Sequence, residues 1–183
     1  PPPAAGRPGG ASRSLAQREP VLDSETGRKR YFVVHGGLFS RDDVTLDDVA
    51  GVDRFACKQP GQEGLMMELL WSDPQTAPGR GPSKRGVGLG FGPDISRAWC
   101  QKNGVTAVLR SHEVRQNGYA EEHDGLCCTV FSAPNYCDSA GNLGAFGRID
   151  AHGTLNWTTF QAQPHPNIRP MAYAGGPMGG LLA

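Results

Sequence analysis

Tyr31-Phe32-Val33-Val34-His35-Gly36-Gly37 is the stretch from which the fold can be read outward. Its first four residues are aromatic or β-branched without interruption and two glycines close it, the pattern of a strand buried on both faces. His35 then falls at the carboxyl end of that strand. The same grammar returns at residues 105–109 (VTAVL), which run into Arg110-Ser111-His112-Glu113. It returns again at residues 127–131 (CCTVF), which run into Ser132-Ala133-Pro134-Asn135-Tyr136. Three buried strands are expected, each delivering polar residues at its end.

Helices fall between these strands. Thr45-Leu46-Asp47-Asp48 has the form of a capping box, and Asp94 can cap a segment whose Ile95, Ala98 and Trp99 recur at helical spacing as far as Asn103-Gly104. Residues 62–70 predict a third helix, with Gly64 counting against it. Residues 145–150 and 154–160 flank His152-Gly153 and predict an antiparallel hairpin. The class is therefore mixed α/β. The opening PPPAAGRPGGASR lacks apolar periodicity and is expected to be disordered, leading through a polar loop to order near Arg30.

Composition narrows the function. The 183 residues carry 18 Lys+Arg against 18 Asp+Glu, so no concentrated positive charge points to DNA, RNA or an anionic membrane. The apolar runs are far shorter than the ~20 residues that span a bilayer. With 38% hydrophobic residues a packed core is expected, and the length suits one domain. The 5 cysteines form no C-x-x-C pair, which fits a reducing cytoplasmic or nuclear setting. Residue 1 is Pro, so the chain reads as a fragment or a processed form.

Ligands of layered α/β proteins collect outside the carboxyl ends of strands, so His35 and His112 could converge on one site. Each also reads as an ordinary hydrogen-bonded structural histidine. Arg85 lies in Ser83-Lys84-Arg85-Gly86, within a glycine-rich loop free of acidic residues from 78 to 92. Its guanidinium could clamp a phosphate by paired hydrogen bonds, or the loop could simply be solvated. Asn135 and Tyr136 offer an amide and a phenol on an irregular loop. Cys127 and Cys128, despite nearby His123, are read as core, because adjacent strand residues point to opposite faces.

HGGLFS at 35–40, LLWSDP at 69–74, KRGV at 84–87, FGPD at 91–94, RSHE at 110–113 and SAPNYCD at 132–138 occur in that order. Together they closely resemble the PPP family of serine/threonine protein phosphatases. The resemblance implies a calcineurin-like metallophosphoesterase fold, a β-sandwich flanked by helices, of which this chain carries the carboxyl-terminal half. Residues 31–174 would be a partial catalytic domain, 1–30 a disordered or loop segment and 175–183 a flexible tail. The implied activity is hydrolysis of phosphoserine and phosphothreonine esters in phosphoprotein substrates, by a hydroxide bridging two divalent metal ions (manganese, iron or zinc). In that scheme His35 and His112 are two of the metal ligands, and Arg85 and Tyr136 contact the substrate phosphate. Asp73 and Cys137 match groove positions, and Asn135 shapes the loop over them.

HPNIRPMAYA at 165–174 and VTLDDV at 44–49 resemble most the family member that carries tetratricopeptide repeats before its catalytic domain. That implies a regulatory domain or chaperone partner through an upstream region of this kind. The family motifs GDxHG, GDxxDRG and GNHE, which supply the other ligands and the acid histidine, do not occur here. The chain alone is therefore expected to be inactive, and a non-catalytic module that binds phosphoproteins or regulatory partners is the alternative.

Overall fold

The three apolar runs do become neighbouring strands. In the computed structural model, which describes residues 19–167, β1 (Tyr31–Val33) lies parallel to β5 (Ala107–Arg110), which lies parallel to β7 (Cys127–Val130). An antiparallel strand, β6 (Tyr119–Glu122), completes the order β1-β5-β7-β6. Val33 pairs with Leu109 and Leu109 with Cys128, so the three parallel strands end level and their following residues emerge side by side. The expectations for residues 1–18 and 168–183, including the disordered start, the tail and most of HPNIRPMAYA, lie outside the described residues.

The helices follow their local signals. Thr45 and Asp48 exchange the reciprocal bonds of a capping box at the start of α1 (Leu46–Ala50). The third helix candidate forms as α2 (Leu65–Trp71), but only after Gly64. The helix α3 (Pro93–Asn103) is capped by Gly92 rather than by Asp94, because Pro93 occupies its first turn. The Asp94 carboxylate instead accepts from the Gly79 amide at 2.7 Å. Gly104, in the left-handed region at φ 60°, ends α3. Trp99 of α3 is buried in the core with Phe39, Phe91, Val108 and Cys127 and donates its indole N–H to the Val44 carbonyl at 3.0 Å.

Two readings of the sequence need correction. The stretch 78–92 is not simply a loop: β3 (Arg80–Pro82) and β4 (Leu89–Phe91) pair antiparallel, and β2 (Asp73–Pro74) adds to β4 in parallel. Gly81 and Gly90 serve close packing, since a Cβ on either would stand within 2.6 Å of the Gln75 side-chain oxygen. Nor is β1 buried on both faces, because Val33 is 74% exposed. Among the described residues β1 is an edge strand, and its outward face opens on a groove of about 450 Å³ lined by Val33, Val34, Leu109, Leu155, Trp157 and His35. The far wall of this groove is the expected hairpin, β8 (Gly144–Ile149) paired with β9 (Leu155–Phe160).

Candidate metal and phosphate site

Parallel pairing brings the two histidines together. Val34 donates to the Leu109 carbonyl and Ser111 to the His35 carbonyl, at 2.9 and 3.1 Å, carrying the pairing one step past the strands. The rings of His35 and His112 then lie 4.9 Å apart, centroid to centroid. His112 adopts φ 72°, a left-handed conformation uncommon outside glycine, which turns the chain sharply after β5. The edge of Trp71 packs against its ring at 5.3 Å.

The glycines that follow His35 are packing residues. A Cβ on Gly36 would lie 2.5 Å from the Leu70 carbonyl carbon, and one on Gly37 would run into the Phe91 ring. The end of α2 therefore closes directly onto the backbone beside His35, and Ser72 and Asp73 follow at once. Asp73 is where the charges of the site meet. Its Oδ1 accepts from Arg110 at 2.6 Å and its Oδ2 from Arg85 at 2.7 Å. Burial works to raise the Asp73 carboxyl, but the bonds and charges of Arg85 and Arg110 outweigh it and hold the group below its usual range.

Burial, helped by the charges of Arg110 and Arg85, lowers His35 below the ordinary imidazole range. Burial, then Arg85, brings His112 down to about 4 against the opposing pull of Asp73. Both rings are therefore neutral at pH 7, the form that binds a metal ion. Nδ1 of His112 is buried without a hydrogen-bond partner and stands 3.4 Å from Asp73 Oδ1. The pair fits a borderline divalent metal as part of a ligand set. Among the described residues, no three His, Cys, Asp or Glu side chains are grouped to hold one.

Comparison with known proteins fits this geometry. Residues 6–116 match the calcineurin-like phosphoesterase family. The chain belongs to that family. Serine/threonine-protein phosphatase T of Schizosaccharomyces pombe is 66% identical over 151 residues, covering 82% of this chain and 32% of that protein. Serine/threonine-protein phosphatase 5 of Homo sapiens is 48% identical over 146 residues, covering 79% and 29%. A solved serine/threonine phosphatase of Saccharomyces cerevisiae, described as similar to human phosphatase PP5, superposes with a TM-score of 0.70 at 47% identity, over 79% of this chain and 48% of that one. The chain spans under a third of the length of the two curated relatives.

A calcineurin-like phosphoesterase works with divalent metal, and the site residues divide accordingly. His35, His112, Asp73 and Arg85 form one connected group, closed by a bond from Arg85 to the His112 carbonyl at 2.9 Å. The loop of Arg85 has no acidic residue, as its sequence shows, but Asp73 arrives from β2 to pair with it. Asn135, Tyr136 and Cys137 do not join this group by any hydrogen bond among the described residues. The Asn135 amide and side chain bond to Asn142 and Gly141, and Tyr136 stands edge-on to Phe131 at 5.1 Å with its side chain partly in solvent. Cys137, at φ 54°, is exposed.

Three contributors escaped the sequence reading. Arg110 is fully buried, Trp71 packs on His112, and Asn142 supports the 132–143 loop through bonds to Tyr136, Ala133 and Leu143. An arginine closing an apolar strand was the one signal that could have marked Arg110. His123 is held structurally: its ring bridges the Ser96 hydroxyl at 2.7 Å and the Gln75 carbonyl at 2.9 Å. Cys127 and Cys128 are core, and burial pushes the Cys127 thiol up.

Proposed function

We propose that this chain is the carboxyl-side part of the catalytic domain of a metal-dependent serine/threonine protein phosphatase acting on phosphoproteins. The observation that carries the reading is the convergence of two neutral imidazoles, one with an unpartnered buried nitrogen, beside an arginine held at the same turn. The names of the relatives support it. In the bound state, two divalent ions, manganese, iron or zinc, would activate water and neutralise phosphate charge. His35 and His112 would hold part of that centre.

The remaining work belongs to this chain's own side chains. Arg85 spends its Nε on Asp73 and one N–H of Nη2 on the His112 carbonyl, so the Nη1 edge is left for phosphate oxygens. Anchored on both sides, it needs little reorganisation to meet charge developing on phosphorus. Tyr136 would bring its phenol to the same phosphate from the 132–143 loop. Cys137 and Asn135 would border the groove. A tetratricopeptide region outside this chain, with a regulatory or chaperone partner, belongs to the same proposal, as does a cytoplasmic or nuclear location.

The test is manganese-dependent hydrolysis of a phosphoserine peptide. The chain by itself is expected to give no rate above background, because it lacks GDxHG, GDxxDRG and GNHE. Mixed with a polypeptide carrying those motifs from a relative, it should gain a rate that His112→Ala abolishes and Arg85→Ala lowers by about 10²–10³ in kcat. His152→Ala, in the exposed hairpin turn, should change nothing. Phosphopeptide binding without turnover in the complemented mixture would favour the second reading, a non-catalytic phosphoprotein-binding module, which the Arg85 beside the two imidazoles could also serve.

A further inference from the structure

Charged side chains alternate in sign from the outer strand of the sheet to the phosphate site. Glu122, on β6, accepts from Arg115 at 2.8 Å, and Arg115 also donates to Glu113 at 3.0 Å. Glu113 accepts from Arg110 at 3.0 Å, Arg110 donates to Asp73 at 2.6 Å, and Asp73 accepts from Arg85 at 2.7 Å. Arg110 is the member with no side-chain exposure at all, and it also donates to the Gly36 carbonyl at 2.7 Å and the Ser72 carbonyl at 3.3 Å.

A buried guanidinium is tolerable only when it is fully paired, and its planar fork admits few arrangements of its partners. Arg110 thus ties together the turn after His35, the end of α2, the carboxylate of Asp73 and the residue following His112. With Oδ1 committed to Arg110, Asp73 presents Oδ2 in one direction, and that oxygen holds Arg85. The loop of Arg85 cannot do this by itself. Gly86 and Gly88 beside it take positive φ, a Cβ on Gly86 would touch nothing, and the Arg85 side chain is about one-third exposed.

We propose that Arg110 is the positioning residue of the phosphate site, acting through Asp73 on Arg85, with Glu113 steadying it from the other side. The proposal rests on the reading of Arg85 as the phosphate ligand. The experiment uses the whole chain and follows the Arg85 Nε–H resonance by NMR, both for its exchange with solvent and for its response to inorganic phosphate. The indole N–H of Trp157, on the β8–β9 hairpin and bonded at 3.0 Å to Glu121 of β6, outside the chain of charges, is the internal control.

Arg110→Lys keeps the charge and loses the fork. It is expected to speed Arg85 Nε–H exchange about tenfold and to weaken phosphate binding by a similar factor, leaving Trp157 within about twofold. Glu113→Gln keeps the shape, should act in the same direction by about threefold, and decides the matter if Arg110→Lys does not fold. Arg85 exchange unchanged in the folded variants, or faster only in step with Trp157, would overturn the positioning role. If the parent's Arg85 resonance ignores phosphate, the phosphate reading falls, while the exchange comparison still judges Arg110.

Discussion

The turns after β1 and β5 are fixed by buried charge, whereas the loop 132–143 is fixed by a neutral amide. At the turns, Arg110 and Asp73 face each other out of water and tie together three stretches of chain, at residue 36, residues 72–73 and residues 110–113. In the loop, Asn142 receives the Tyr136 amide and donates to the Ala133 and Leu143 carbonyls, while Tyr136 itself stays half in solvent. The loop also accepts left-handed backbone at Asn135, Cys137 and Asp138. The first region is suited to holding atoms still. The second is suited to presenting side chains to something that arrives.

The largest effect should come from breaking the charged region. Asp73→Ala strands the Arg110 guanidinium without its closest partner, and chemical denaturation should show a loss of about 3–5 kcal/mol. A loss below about 1 kcal/mol would mean that water or a neighbour replaces the carboxylate and that the two regions are not so different. Asn142→Ala should cost less, about 1–3 kcal/mol, since it leaves neutral backbone groups unsatisfied. Its distinctive sign should be faster hydrogen exchange at the Tyr136 amide with exchange at Leu109 unaltered; equal change at both would contradict a local role.

The smallest effect concerns a third place, the loop before β1. Asp23 accepts from the hydroxyl and amide of Thr26 and pairs with Arg30, and these bonds hold its carboxyl down to about 2. A carboxyl lowered in the fold stabilises fully above its unfolded value of about 3.9, and that contribution disappears as pH falls through the folded value. Thermal unfolding at stepped pH should therefore find Asp23→Asn less stable than the parent at pH 6 and the two converging near pH 2. A constant gap across that range would show that Asp23 acts by shape rather than by charge.

Much of the charged region could be read in advance and its organiser could not. His35 and His112 were legible because each follows an apolar run, and strand pairing is a strong enough constraint to bring such ends together. The capping box at Thr45 and the hairpin around Gly153 were legible because their signals lie within a few residues. Arg110 was hidden because a charged residue at a strand end ordinarily points to water, and the partners that permit its burial come from residues 36, 72, 73 and 113. Asp73 as the partner of Arg85 was hidden for the same reason. Val33 was misread because an apolar run records what a strand can bury, not whether a neighbour covers it.

The left-handed backbone at His112 narrows what mutational drift can do there. A single base change in a histidine codon gives asparagine, aspartate, glutamine, arginine, tyrosine, leucine or proline. Of these, only asparagine and aspartate settle readily into that conformation, while proline cannot enter it at all. Both tolerated replacements carry oxygen donors in place of nitrogen. The backbone thus steers neutral drift at this position toward residues that still offer a lone pair, favouring harder cations over the loss of the ligand.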